Sequence, residues 1–177
     1  MKVAVFGLPA SGKGTLCARL KEKMNLTHIS SGDLLREYMS EMGSSCSLGK
    51  TLGNGNFAGD ELIIHLIRNA LPSDGYLLDG FPRRISQKGV FPVDVAVFIR
   101  IEVDTAVERM RDRAEKEEVV RSDDNTDAFR QRIKNYNELT MPVIEAFRAE
   151  NRLIEVDGER EKDEVVADAM GQLESMK

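Results

Sequence analysis

The feature that most constrains this chain is the junction at its start, where the apolar run Val3-Ala4-Val5-Phe6 ends in G-L-P-A-S-G-K-G-T, Gly7 to Thr15. A β-prone run feeding a glycine-rich turn that opens into a helical pattern reads as strand, loop and helix in succession. Gly7 and Gly12 lack a Cβ, so the backbone can curl and turn successive N–H groups inward. Lys13 adds a point charge, and the helix beginning there adds its positive end. Such a cradle suits a polyphosphate. The match to G-x-x-x-x-G-K-[ST] departs at its last position, because Gly14 follows Lys13 and the hydroxyl comes at Thr15.

At 177 residues, 41% hydrophobic and 31% charged, the chain has the size and composition of one soluble domain. A formal charge of −5 argues against a nucleic-acid coat or an anionic membrane surface, so positive charge must be placed locally. Two isolated cysteines, Cys17 and Cys46, supply neither a disulfide framework nor a four-cysteine zinc site. The N-terminal apolar run is too short for a membrane span and does not make a secretory signal. A cytoplasmic monomer, with no nucleic-acid or membrane partner, is the expectation.

Short β-rich runs at 3–6, 27–29, 76–78, 95–101 and 153–156 alternate with helical patterns at 13–24, 60–71, 104–118, 126–150 and 161–176, the longest kinked or divided by Pro142. That alternation predicts an α/β fold with a five-stranded parallel sheet covered on both faces, a three-layer arrangement. Two stretches break the pattern, 43–59 rich in Gly, Ser and Asn, and 115–125 charged and non-periodic. Both read as mobile inserts hung on the sheet.

A second motif, Leu77-Leu78-Asp79-Gly80-Phe81-Pro82-Arg83, delivers an acid and an arginine at the carboxyl end of an apolar strand, where open parallel sheets bind ligands. Asp79 there can hold the water shell of a Mg²⁺ bound to phosphates, or serve as a turn aspartate. Arg83 is suited to bidentate phosphate recognition. In the second half Arg109 and Arg113 share a helix face, and Arg121 and Arg132 bracket Asp123-Asp124-Asn125. Either they are a solvated basic face, the reading taken for Arg111, Arg130, Arg148 and Arg152, or they converge on one site. Transfer of a phosphoryl group between two anionic substrates needs several cations, which favours convergence.

Taken in order, the glycine-rich loop, His28-Ile29-Ser30-Ser31-Gly32-Asp33-Leu34-Leu35-Arg36, Leu78-Asp79-Gly80-Phe81-Pro82-Arg83 with Gln87, and Arg121-Ser122-Asp123-Asp124 with Arg132 resemble adenylate kinase. The resemblance runs nearly end to end. It implies reversible phosphoryl transfer between ATP and a nucleoside monophosphate, with Mg²⁺. The implied fold is of the P-loop NTPase type, a single nucleoside monophosphate kinase domain with a monophosphate-binding insert over 30–59 and a short lid over 113–122. It further implies that Ala10, Ser11, Gly12, Lys13, Gly14 and Thr15 hold the ATP phosphates, with Arg109 on the ATP base, Arg113 on its phosphates and Arg160 at the edge of the Val156-Asp157-Gly158 turn. On the AMP side it implies Ser31, Arg36, Asn56, Phe57, Ala58, Gly80, Phe81, Pro82, Arg83 and Gln87, the last reading the base. Arg121 and Arg132 close over the phosphoryl group, so Lys13, Arg83, Arg113, Arg121 and Arg132 form the implied catalytic set, and Asp79 touches Mg²⁺ through its water. The lid lacks the cysteine cluster of long-lid relatives, so no structural zinc is expected.

The chain departs from the family pattern in places. Phe57-Ala58-Gly59 stands before Asp60-Glu61 where Leu-Val-Pro is usual, and Arg84 replaces a small polar residue. Between Gln87 and Val95 too few residues remain for a crossover helix, so that connection must be trimmed or rearranged. Within the family the alternative is a UMP or CMP kinase. Outside it stand a P-loop ATPase or a nucleotide-binding regulator, although no Asn-Lys-x-Asp guanine-reading motif is present.

Overall fold

The computed structural model describes residues 1–42, 58–116 and 126–176. Its elements are β1 (Lys2–Gly7), α1 (Lys13–Met24), β2 (Thr27–Ser30), α2 (Ser31–Met42), α3 (Asp60–Ala70), β3 (Tyr76–Asp79), a 3₁₀ turn (Ile85–Gln87), β4 (Val95–Arg100), α4 (Val103–Lys116), α5 (Thr126–Asn135), a π-helical turn (Tyr136–Thr140), α6 (Met141–Ala149), β5 (Leu153–Asp157) and α7 (Lys162–Ser175). The described strands form one five-stranded sheet in the order β2-β3-β1-β4-β5, parallel throughout. An all-parallel sheet has helices on both faces, so its strands carry continuous apolar runs: Val3 to Gly7 in β1 and Val95 to Ile99 in β4 are buried without a break. The expected fold class is the one observed.

Two apolar clusters hold the layers together. The larger surrounds β1, β4 and β5 and draws in Leu16, Cys17 and Leu20 of α1, Phe129 of α5, Val143, Ile144 and Phe147 of α6, and Ala169 and Leu173 of α7. The smaller lies toward the β2–β3 edge and joins Ile29, Leu78, Phe81 and Phe91 to Leu35 of α2 and Ile63 and Ile67 of α3. Ala58 is buried in it.

Helix α2 departs from the sequence expectation, while the divided long helix and the trimmed β3–β4 connection follow it, each for a physical reason. Helix α2 follows β2 with no intervening loop. Ser30 Oγ accepts a hydrogen bond from the Asp33 N–H at 3.2 Å and caps it, but Ser30-Ser31-Gly32-Asp33 also fits a turn, which hides the helix. The longest helical candidate is divided at the π-helical turn, whose last residue lies two before Pro142. Proline has no N–H for an i−4 bond, and the wider turn, with Met141 N–H bonded to Tyr136 O, carries the chain past it. The β3–β4 connection is trimmed as expected. Beyond the 3₁₀ turn it carries no helix, and it is held by the Phe81–Phe91 ring contact (centroids 5.5 Å apart) and by the Tyr76 hydroxyl donating to Pro92 O. The expected inserts fall largely on 43–57 and 117–125, outside the described residues, whereas 113–116 belong to α4.

Leu77 is fully buried on β3 between β1 and β2. Leu77→Ala is expected to cost about 3 kcal/mol, the middle of the range for such truncations. On a domain of this size that lowers the melting temperature by roughly 6–12 °C, measurable by thermal denaturation followed by circular dichroism.

Candidate active site

Register builds the site. Val5 of β1 pairs with Asp79 of β3, so the loop leaving Gly7 and the loop leaving Asp79 emerge side by side at the carboxyl edge of the sheet. Ala10 (φ 64°) and Gly12 (φ 92°) both occupy left-handed backbone, with Ser11 N–H bonded to Leu8 O at 3.1 Å, and this curls residues 7–13 into a concave turn. No acidic residue stands in the first turn of α1, so its positive end is uncompensated there. Lys13 Nζ donates to Gly7 O at 2.9 Å and Leu8 O at 2.8 Å, folding back across the loop. The Ser11 hydroxyl is buried in the turn and has no hydrogen-bond partner among the described residues.

Burial lowers the Lys13 ammonium to about 8, with Asp79 opposing the shift and Arg83 and Arg132 adding to it. Lys13, Asp79, Arg83 and Arg132 therefore share one electrostatic neighbourhood. Behind Asp79, His28 Nε2 lies 3.4 Å from its Oδ2, and the Cys17 sulfur is within 4.8 Å of both ligand atoms. Burial, reinforced by Asp79, pushes the Cys17 thiol well above its ordinary value.

On the other side of the cleft, Gly80 (φ 78°) turns the chain where a Cβ would meet Ser31 Oγ at 2.6 Å. Its carbonyl accepts from Ser31 Oγ at 2.9 Å and Arg83 Nε at 2.8 Å. Gln87 is buried, its Oε1 accepting from the Arg83 N–H at 2.7 Å and its Nε2 donating to Asp60 Oδ1 at 2.8 Å. Arg84 Nη1 and Ser86 Oγ also donate to the Asp60 carboxylate, at 2.6 and 3.1 Å. A third side comes from α5 and the π-helical turn: Arg132, Tyr136 and Thr140 line the cleft together with Gly7, Lys13, Gly80, Pro82 and Arg83, and Thr140 Oγ1 donates to Arg83 O at 3.1 Å.

Other sequence expectations fall unevenly on this frame. Arg109 Nη2 donates to Gly158 O at 2.8 Å, so α4 and the Val156-Asp157-Gly158 turn meet. Arg113 lies one turn further along α4. Arg36 is paired with Asp33 on its own helix, and Arg160 engages Glu164 and Asp168 of α7 at 3.4 and 3.7 Å. Thr15 and Gly14 are exposed on the first turn of α1, and Phe81 is buried before a cis Phe81–Pro82 bond. Asn56, Phe57 and Arg121 lie outside the described residues.

The family model described as Adenylate kinase matches residues 5–152 of this chain. The chain belongs to the adenylate kinase family. Relatives named adenylate kinase include those of Stenotrophomonas maltophilia strain R551-3, 34% identical over 94% of this chain and 96% of theirs, and Xylella fastidiosa strain M12, 35% identical over 97% and 100%. A Caenorhabditis elegans relative named UMP-CMP kinase 2 is 34% identical over 94% of this chain and 92% of its own. Membership makes the chain a nucleoside monophosphate kinase, a phosphotransferase, in agreement with the function read from its motifs. Among the described residues no helix is long and apolar enough to cross a membrane.

Two site features of this adenylate kinase family member escaped the sequence reading. Asp60 gathers the 84–87 loop from a distant helix, and its signal was the unexplained Arg84. Tyr136 presents to the cleft a buried hydroxyl that has no hydrogen-bond partner among the described residues, and burial pushes that hydroxyl's ionisation upward. Its placement depends on the π-helical turn, which no local pattern announces.

Two outcomes are expected. Phosphate favours the protonated Lys13, so the bound-state ionisation lies above about 8 and nucleotide affinity is full below that pH. It then falls by up to about tenfold per pH unit as pH rises through and beyond 8. Calorimetric titration with ATP from pH 7 to 10 should show this slope, and Lys13→Met should flatten it. Tyr136→Phe removes an unsatisfied buried hydroxyl, so the melting temperature should hold or rise, while steady-state assay should show turnover several-fold lower.

Proposed function

We propose that this protein catalyses ATP + AMP ⇌ 2 ADP, working as a cytoplasmic monomer. The observation that carries the reading is the convergence of Lys13, Arg83 and Arg132 on one cleft between the glycine-rich loop and the Asp79–Arg83 turn. A monophosphate acceptor is already anionic near neutral pH, so positioning and charge stabilisation suffice and no strong protein base is required. The 7–15 loop would hold the ATP phosphates through backbone N–H groups, with Lys13 released from Gly7 O and Leu8 O to follow the transferred group. Arg83 and Arg132 both line this cleft and would offset charge on the equatorial oxygens as it passes. Arg109 beside Gly158 would border the ATP base, Arg113 would reach its phosphates, and Arg160 would stand at the edge.

Ser31, Arg36, Arg83 and Gln87 would receive AMP with Asn56, Phe57, Ala58 and the Gly80-Phe81-Pro82 turn, and Arg121 would join Arg132 in closing over the phosphoryl group. Asp79, an oxygen donor at the end of β3 whose charge acts on Lys13, fits the water shell of a phosphate-bound Mg²⁺. When bound with ATP, the ion neutralises β- and γ-phosphate charge. Among the described residues the large exposed apolar side chains, Met42, Ile85, Val103 and Met176, are scattered over separate segments, in keeping with a monomer.

The test mixes the protein with ATP, Mg²⁺ and AMP, CMP, UMP, GMP or no acceptor, and resolves the nucleotides by chromatography. ADP formation that depends on AMP is expected, and Arg132→Ala should lower turnover by two orders of magnitude or more without a comparable loss of stability. Preference for CMP or UMP would place the chain with the relative named UMP-CMP kinase 2. Phosphate release without an acceptor would mark an ATPase or a nucleotide-binding regulator.

A further inference from the structure

Gln87 is a symmetric-looking carboxamide whose two ends differ only in that one accepts and the other donates. Its orientation is fixed by chemistry at both ends. The Asp60 carboxylate accepts the hydrogen bond at 2.8 Å, so Nε2 faces it; the Arg83 backbone N–H can only donate, so Oε1 faces it, at 2.7 Å. A flipped amide would set carbonyl against carboxylate and NH₂ against N–H. Gln87 is 4% exposed, so water does not compensate the two lost bonds. Asp60 is itself held, since Oδ1 also accepts from Arg84 Nη1 at 2.6 Å and Oδ2 from Ser86 Oγ at 3.1 Å. Arg84, the residue at odds with the family pattern, thus secures the carboxylate that orients Gln87.

We propose that Asp60 is a specificity-determining residue that, by locking Gln87 in one orientation, selects 6-amino over 6-oxo purine monophosphates as acceptors. The inference rests on the reading of Gln87 as the base reader. With one N–H of Nε2 given to Asp60 and one lone pair of Oε1 given to Arg83, the amide retains one donor and one acceptor in fixed order. Adenine offers a 6-amino donor beside the N1 acceptor. Hypoxanthine has nearly the same outline but reverses the order, with a 6-oxo acceptor beside an N1–H donor. When the monophosphate is anchored, the base cannot turn over, so AMP satisfies Gln87 while IMP sets donor against donor and acceptor against acceptor. A locked amide makes that mismatch costly, as it does when a carboxamide reads adenine in nucleic acid. Cytosine repeats adenine's order and uracil reverses it, so Asp60 discriminates against UMP but leaves AMP and CMP to be separated by size.

The experiment measures kcat and KM for AMP and IMP in the wild-type protein, Asp60→Asn and Arg84→Ala, with melting temperatures recorded for each. Asn at 60 can donate as well as accept, so a flip of Gln87 is opposed by the Arg83 N–H alone. The AMP-to-IMP ratio of kcat/KM should fall roughly tenfold or more, chiefly through KM. Arg84→Ala loses the ion pair but keeps the acceptor-only carboxylate, so its ratio should stay within about threefold of wild type. Asp60→Ser, whose hydroxyl also donates or accepts, carries the same expectation should Asp60→Asn fail to fold. Equal losses for both acceptors in Asp60→Asn, or an equal change of ratio in Arg84→Ala, would overturn the proposal by making Asp60 a mere clasp. A wild-type preference for IMP over AMP would overturn it while sparing the kinase reading. No transfer to any monophosphate would overturn both.

Discussion

The pairing of Val5 with Asp79 is the constraint on which the rest depends. Because β1 and β3 run parallel and in that register, the phosphate-shaped loop and the acid-bearing turn leave the sheet at adjacent points. Every later element is positioned against that edge. A slip of one residue would send Asp79 to the opposite face of the sheet and separate it from Lys13. The buried strands make such a slip expensive, since Val3, Ala4, Val5, Leu77 and Leu78 are all at most 1% exposed. The core thus works as the alignment device for groups that never enter it.

The cleft is electrostatically lopsided in a useful way. Lys13 is held near 8 by desolvation and by two guanidiniums, with Asp79 the counterweight. A polyphosphate beside Lys13 would favour its charged form, opposing the burial that lowers it. The lysine's bonds to Gly7 O and Leu8 O hold its head within the loop and limit the reorganisation required when phosphate arrives.

Much of this was legible in the residues. The alternation of apolar runs and helical patterns carried the five-stranded sheet, and Gly12-Lys13 and Asp79-Gly80 marked the two loops that converge, because each encodes its function in neighbouring residues. What was hidden depends on distance or on ambiguous local chemistry. Helix α2 was obscured because Ser30-Ser31-Gly32-Asp33 serves a cap and a turn equally well. Tyr136 enters the cleft through a π-helical turn, whose single extra residue shifts a helical face without altering its periodicity. Gln87 could be suspected from its type and place, but its polarity is set by Asp60, 27 positions away, and no local pattern contains that. Residues 43–57 of the expected insert and 117–122 of the expected lid, with Asn56, Phe57 and Arg121, lie beyond the described residues.

The trimmed connection between β3 and β4 bears on how this fold can diversify. A crossover helix would tie residues 84–94 into the apolar layers, and any change there would disturb packing. Here the stretch over 84–87 is fastened chiefly by polar contacts, to Asp60 and to Thr140 through the neighbouring Arg83 carbonyl, with Ile85 left exposed. Polar fastenings can be exchanged one at a time while the hydrophobic layers stay intact. The 84–87 stretch is therefore a replaceable module, open to a few point changes without renegotiating the sheet beneath it.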